Sequence, residues 1–349
     1  EMLETLANIL RDTLRVIETA ETADGRMKAN LYFMIAESYK HTPDLRLTWL
    51  EKLALLQQQN GNFAEAGVAF AHACALIADY LLASGRLDSS LININIFSRI
   101  SPQLQAFANA SEDGVCPSPD FSEKGFIKYV RFAIRCFKTA EYYEFAVKLF
   151  NVITPIYEEN ESYHDLSQAH TQIQDFWINV STNDEGRLFG KYFRVGFFGL
   201  PFGEELNGCE FVYKEPKLTH ILELTENLKK MYSSLLGHEI HHIDGGKDTN
   251  QIDPNKCFLQ ITKIDPFISD KRKRTFFSMN VNLSEFFFET PFTRSGKSHA
   301  DDASEQYKRK TILTVGGSFP SMLTRLSVIR KREVILSPIE NAIEDLNKR

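Results

Sequence analysis

The residues best suited to chemistry lie in the stretch HEIHHIDGGKD, which begins at His238. His238, Glu239 and His242 match a zinc-protease string, in which two imidazoles one helical turn apart bind the metal and the glutamate activates a water. Asp248 is a candidate third ligand, and Met279 is a candidate supporting methionine. The motif therefore raises a zinc protease as one hypothesis.

That chemistry requires a helix through residues 238–242, and the surrounding pattern favours another structure. The helical spacing of LTHILELTENLKKMYSSLLG, with Thr219 as its expected cap, stops at Gly237, and Gly245-Gly246 follow soon after. The alternation in EIHHID is more typical of a short strand or an extended connector. Because a string with three fixed positions also arises by chance, we favour surface histidines near a loop and predict no metal site and no cofactor.

Other catalytic patterns are missing from the sequence. It contains no G-x-S-x-G elbow, no Walker loop and no dinucleotide glycine fingerprint. The glycine-rich GGSF at 316–319 lacks the lysine that phosphate binding needs, and it predicts a turn. We therefore expect no catalytic residue, and a protein that is not an enzyme of covalent chemistry.

Composition narrows the remaining function classes. The 349 residues are 43% hydrophobic and 25% charged with a net charge of −6, which is ordinary for a folded chain and makes nucleic acid a poor partner. No run of 18 or more apolar residues is present, so no membrane-spanning segment is expected. Five cysteines without a C-x-x-C pair favour free thiols in a reducing cytoplasm. Because the chain starts at Glu1 and stops inside a helical pattern, we expect a piece of a longer protein.

The first half of the sequence has helical spacing. NFAEAGVAFAHACALIADYLL places apolar residues three and four apart, and LRLTWLEKLALLQQQNGN ends in an Asn-Gly turn signal. Tyr143, Ala146 and Phe150 repeat the spacing of Phe63, Ala66 and Phe70, which predicts stacked helical hairpins similar to tetratricopeptide repeats.

The second half has strand spacing instead. The segments KYFRVGFFG, CEFVYKEP, CFLQITKIDPF, LSEFFFETPF and KRKTILTVGG are short, aromatic and β-branched. SPIENAIEDL then begins a helix, with Ser337 as the cap and Glu340 three residues later. The predicted fold class is α+β, with a helical-repeat-like layer over 1–182 and a small, mainly antiparallel sheet lobe with a helix over 183–349.

Several longer segments resemble one protein family. These segments are TPDLRLTWLEKLA, FAEAGVAFAHACALIADYL, EDGVC, GRLFGKYFRVGFFG, FGEELNGCEFVYKEPKLT, DPNKCFLQITKIDPF, FFFETPFT, EQYKRKTILT and SPIENAIEDL. Together and in this order they resemble the DOCK homology region 2 of the DOCK guanine nucleotide exchange factors, across nearly the whole chain. The segments EDGVC and RLFGKYFRVGFFG are similar in sequence to those of the Zir-like subgroup, which acts on Rac and Cdc42.

The resemblance implies a three-lobe exchange domain. In that family a helical lobe A forms homodimers, and a Rho-type GTPase docks between a sheet lobe B and a helical lobe C. A loop of lobe C displaces the magnesium ion, and these 349 residues contain no counterpart of that loop. The resemblance therefore implies a cytoplasmic exchange-factor fragment that exchanges weakly or not at all by itself and is recruited to membranes by other parts of a parent protein.

The resemblance implies residues for two interfaces, one with the GTPase and one between copies of the chain. The candidate GTPase contacts are the ETPFT loop and its neighbour, namely Thr290, Pro291, Phe292, Thr293 and Arg294; a buried Phe292 and a solvated arginine are the alternative. Homodimerisation would use helices around 63–82 or 126–159. A helical scaffold with no exchange role, and the zinc protease, remain competing hypotheses.

Overall fold

A computed structural model describes residue 11 and residues 25–106, 118–183, 185–243, 253–268, 275–293 and 306–347. The chain divides into two compact units. The helical unit is Glu1–Phe189 with Ser318–Thr324, and the sheet unit is Gly190–Gly317 with Arg325–Arg349. This architecture confirms the predicted α+β class, while the division of roles between 1–182 and 183–349 stays a prediction.

The helical unit contains seven α-helices among its described residues. They are α1 (Gly25–Ser38), α2 (Pro43–Gln59), α3 (Phe63–Ala83), α4 (Asn95–Ile100), α5 (Glu123–Thr139), α6 (Tyr143–Glu159) and α7 (Tyr163–Asn183). Helix α3 packs against both α2 and α5, and α6 packs against α5 and α7.

Three turns between these helices share one geometry. Gly61, Glu141 and Glu161 all have a positive φ, of 77°, 62° and 52°. Each donates its backbone N–H to the carbonyl three residues earlier, and the next residue donates to the carbonyl five residues earlier. This helix-terminating hydrogen-bond pattern recurs after α2, α5 and α6, and it supports the predicted repeat-like packing.

Helix α3 is the centre of the helical unit. Every residue from Ala64 to Ala75 is buried, and the small side chains let neighbouring helices approach closely. It is the one described helix long and apolar enough to cross a membrane, but 72% of its most apolar window is buried inside the protein. Burial of that extent is typical of a core helix.

The sheet unit has seven strands and two α-helices among its described residues. They are β1 (Lys191–Phe198), β2 (Glu210–Glu215), α8 (Ile221–Leu236), β3 (Ile240–Ile243), β4 (Cys257–Pro266), β5 (Leu283–Phe292), β6 (Tyr307–Phe319), β7 (Arg325–Leu336) and α9 (Pro338–Asn347). The strand order is β1-β2-β7-β6-β5-β4-β3, and a further pairing joins β1 to β4.

The strand register sets which residues form the core of the sheet unit. Strands β1 and β2 are antiparallel with Phe193 opposite Tyr213, whereas β3 runs parallel to β4. Leu228 and Tyr232 of α8 lie in one buried cluster with residues of β1, β2 and β4, including Phe197. The helix therefore covers an apolar face of the sheet.

A buried ionic network crosses the same sheet. Arg194 on β1 donates two hydrogen bonds of 2.6 Å to the Glu210 carboxylate on β2, and Lys331 on β7 also contacts that carboxylate. Arg194 is 5% exposed and Glu210 is 9% exposed. Burial acts to raise the pKa of Glu210, but its hydrogen bonds and charge interactions with Arg194 and Lys331 outweigh this and lower that pKa.

Some local predictions were wrong. Strand β7 was not predicted, and GGSF lies in β6 rather than in a turn. The residue that caps α8 is His220 rather than Thr219, although Gly237 ends the helix in a left-handed conformation as expected. Residues 244–252 and 294–305, with Asp248 and Arg294, lie outside the described part of the chain.

Candidate functional site: strands β5 to β7 and helix α9

The predicted contact residues lie on a strand rather than in a loop. Thr290, Pro291 and Phe292 are the last three residues of β5, which pairs between β4 and β6. The strand prediction for LSEFFFETPF is therefore confirmed through Phe292, and the description of ETPFT as a loop was wrong for these three residues. Thr293 follows the strand and is only 3% exposed, so its side chain is not available to a partner.

Phe292 is half-buried, with an aromatic ring on one side and a cation on another. Its ring centroid lies 5.8 Å from that of Tyr307 on β6. The guanidinium of Arg309 lies 5.4 Å from the centre of the same ring, and its Nε is 3.7 Å from the carboxylate of Glu333 on β7. These contacts hold Phe292 in place while part of its surface remains accessible.

A charged network lies next to Phe292 and connects β5, β6 and α9. Glu289 lies 3.5 Å from Lys308 and 3.8 Å from Lys310. Lys310 also contacts Glu344 of α9 at 3.1 Å, and its ammonium lies 4.6 Å from the centre of the Phe287 ring. The Lys310–Glu344 contact therefore joins α9 to the strands.

Helix α9 begins with the predicted capping box. The backbone N–H and the hydroxyl of Ser337 both donate to the Glu340 carboxylate at 2.8 Å, and the backbone N–H of Glu340 donates to the Ser337 hydroxyl at 3.4 Å. These bonds, led by the one from the backbone of Ser337, lower the pKa of Glu340. The box therefore defines where the helix starts.

Apolar residues missed by the sequence reasoning surround this region. Ile339, Ile343 and Leu346 of α9 are 73%, 52% and 68% exposed, and on β7 Ile329 and Ile335 are 67% and 59% exposed. The spacing of the three α9 residues places them on one helical face, so SPIENAIEDL already contained the signal.

The zinc-protease motif lies elsewhere in the sheet unit and is not helical. Helix α8 ends at Leu236, and Ile240–Ile243 form strand β3 beside β4. Strict alternation would place Ile240 and His242 on the same side of the strand. Ile240 is buried and His242 is exposed, and Ile243 is buried as well, so burial does not follow that alternation. His238 and His242 therefore do not lie on successive turns of one helix, as the zinc-protease motif requires.

Comparisons with known proteins identify the family of this chain. Family models of "DHR-2, Lobe A" and "DHR-2, Lobe B" match residues 30–182 and 245–318. The chain is 36% identical over 363 aligned positions to human dedicator of cytokinesis protein 8, covering 100% of this chain and 17% of the relative. It is 36% identical over 367 positions to mouse dedicator of cytokinesis protein 7, with the same coverage.

A more distant relative matches almost the same region. The chain is 32% identical over 334 positions to zebrafish dedicator of cytokinesis protein 11, covering 93% of this chain and 16% of the relative. The chain belongs to the DOCK family of dedicator of cytokinesis proteins and contains lobes A and B of the DHR-2 region. It spans about a sixth of the length of these relatives.

Proposed function

We propose that this chain is part of a guanine nucleotide exchange domain for a Rho-family GTPase, either Rac or Cdc42 or both. The observation that carries the proposal is the match of two DHR-2 lobe models, in order, to the helical half and to part of the sheet half of the chain.

An exchange factor acts by differential binding rather than by covalent chemistry. It binds the nucleotide-free GTPase more tightly than the nucleotide-loaded form, and this difference lowers the barrier to nucleotide release. Moving a two-state equilibrium from 1:99 to 99:1 requires about 5.5 kcal/mol of differential binding. A free energy of that size comes from a broad interface with a few well-packed anchors.

In this proposal the GTPase contacts strands β5, β6 and β7 of the sheet unit. Phe292 is the anchor, with Thr290 and Pro291 beside it on β5 and Arg294 beyond it. Phe292→Ala should reduce capture of nucleotide-free Rac and Cdc42, while Leu218→Ala, at an exposed position that serves as the control, should leave it unchanged. If both variants capture nucleotide-free Rac and Cdc42 equally well, Phe292 is not part of the contact surface.

Release of the labelled nucleotide mant-GDP from Rac and Cdc42 tests the exchange function. The 349-residue chain should release nucleotide slowly or not at all, because it contains no counterpart of the magnesium-displacing loop implied by the family. A longer chain of the parent protein that includes the following lobe should release it rapidly. If the longer chain is inactive on every Rho GTPase tested, the exchange function is wrong and the helical-scaffold alternative takes its place.

We also propose that the helical unit forms the homodimer. Most of α3 is buried within the unit, which leaves little of the predicted 63–82 surface for a partner. Helix α7 has only Ala169 and Phe176 as fully buried residues, and its Trp177 and Ile178 are about half exposed. Sedimentation velocity of the wild type and of a Trp177→Glu variant tests this surface, since a dimer through α7 should dissociate in the variant.

A further inference from the structure

Five cations form one stripe along helix α5. Lys124, Lys128, Arg131, Arg135 and Lys138 are spaced four, three, four and three residues apart, and all five are exposed. This spacing keeps them on one helical face over about 21 Å, at 1.5 Å per residue. The stripe contrasts with the net charge of −6 for the chain.

Only part of this positive charge is neutralised inside the protein. Lys128 pairs with Asp120 at 2.9 Å, and Arg131 pairs with Asp165 at 2.6 Å. Across the part of the chain that the structure describes, no carboxylate lies within 4.0 Å of the side-chain nitrogens of Lys124, Arg135 or Lys138. Arg135 instead places its guanidinium 4.7 Å from the centre of the Phe132 ring.

Arg135 lies between two clefts of the helical unit. The first has a volume of about 290 Å³ and is lined by Leu55, Gln58, Phe63, Phe70, Phe132 and Cys136, with Arg135 at its edge. Gln58 donates to the Cys136 sulfur at 3.1 Å, and Leu55 is 46% exposed. This cleft therefore places aromatic and apolar side chains beside the guanidinium of Arg135.

The second cleft lies on the other side of α5. Its volume is about 300 Å³, and it is lined by Ile134, Phe150, Tyr157 and Ala169, with Gln168 and Gln172 of α7 and the Arg131–Asp165 pair. Arg131 also donates to the Tyr157 hydroxyl at 3.0 Å, which holds that arginine to one side. Glutamine amides in both clefts provide donors and acceptors for a peptide backbone.

We propose that α5 and these two clefts form a docking site for a segment of a partner protein in which acidic residues alternate with apolar ones. Charge complementarity selects the acidic residues of this occupant, since Arg135 and Lys138 have no carboxylate partner among the described residues. Arg135 also lines both clefts, which form recesses with apolar side chains in their walls. The recesses favour a peptide over a flat membrane surface, because the apolar walls lie between helices. The site is independent of GTPase exchange.

Fluorescence anisotropy of the full 349-residue chain tests the proposal. The probe is a labelled peptide in which glutamate alternates with leucine, and its partner probe has glutamine in place of each glutamate. The glutamate peptide should bind, and the glutamine peptide should bind at least about tenfold more weakly. Arg135→Glu and Lys138→Glu should each weaken binding by about fivefold to tenfold, and rising salt should weaken it further.

Lys217→Glu is the matched control, because it makes the same charge change at an exposed position of the sheet unit. The proposal is overturned if both peptides bind equally, or if Arg135→Glu and Lys217→Glu have the same effect. It is also overturned if the chain binds phosphatidylserine vesicles but not the peptide, which would indicate a membrane surface. The proposal is overturned too if the wild type does not bind the peptide and Arg135→Glu abolishes the dimer. That result would show that the stripe is an interface between two copies of the chain.

Discussion

Helix α3 and strand β7 are opposites in burial. Every residue of α3 from Ala64 to Ala75 is buried, and every residue of β7 from 329 to 335 is exposed. The helix is rich in alanine because neighbours approach it from all sides, whereas the strand has the charged run RKRE because one edge pairs with β6 and both faces meet solvent. Substitutions in α3 should therefore lower stability more than substitutions in this part of β7, whose side chains are accessible for contacts.

The sharpest test of this contrast is a cavity in the helical core. Phe137 on α5 is fully buried and contacts Tyr142 and Phe145, with ring centroids 6.3 and 5.3 Å away. Phe137→Ala should lower the free energy of unfolding by about 3–5 kcal/mol in urea titrations. Phe292→Ala in the sheet unit is the control and should lower the free energy of unfolding clearly less. Equal losses would contradict the expectation that buried helical residues contribute more to stability than residues of the strand surface.

The buried ionic network of the sheet unit should give the next largest effect. Glu210→Gln keeps the shape but removes the charge opposite Arg194 and Lys331, so unfolding should become easier by about 2 kcal/mol at neutral pH.

The same variant has a pH signature. Because the pKa of Glu210 is lowered from its ordinary 4.5, its stabilisation is present above pH 4.5 and is lost as the pH falls through the folded-state value. Thermal unfolding of the wild type from pH 7 to pH 3 should therefore show a loss of stability that is smaller in Glu210→Gln. Parallel pH curves for the two proteins would show that this carboxylate is not responsible.

Close packing around α3 gives a smaller effect. A Cβ at Gly67 would come within 2.8 Å of the Phe137 ring, so Gly67→Ala should destabilise by about 1–3 kcal/mol despite the better helix propensity of alanine. Adding Phe137→Leu should recover part of the loss, and the two changes should not be additive. If the two changes in unfolding free energy are additive in urea titrations, the strain does not arise between residue 67 and the Phe137 ring.

The smallest effect on stability is expected on β7. Ile335→Ser changes a side chain that is 59% exposed, so its unfolding free energy should stay within about 0.5 kcal/mol of the wild type. If the proposed GTPase surface includes β7, the same variant should capture less nucleotide-free Rac or Cdc42. A large loss of stability would show that β7 is covered by other parts of the protein.

Local sequence patterns predicted most elements of the fold. Strands β1, β2, β4, β5 and β6 follow their aromatic and β-branched runs, and the Ser337 capping box forms as expected. Strand β7 was missed because a strand that exposes both faces has no alternating pattern to detect. For the candidate site, the strand pattern of LSEFFFETPF matches β5 through Phe292, whereas the candidate contacts proposed from the family resemblance were placed in a loop.

By itself, the sequence determined the helical and strand halves, the end of α8 at Gly237, the start of α9 at the Ser337 capping box, and the family. These depend on local propensity and periodicity, which neighbouring residues determine. Only the tertiary structure decided that α3 is buried on all sides, that Thr293 is buried while α9 exposes Ile339, and that Arg135 lies between two clefts. Such properties depend on which distant segments cover a residue, and no local spacing specifies that.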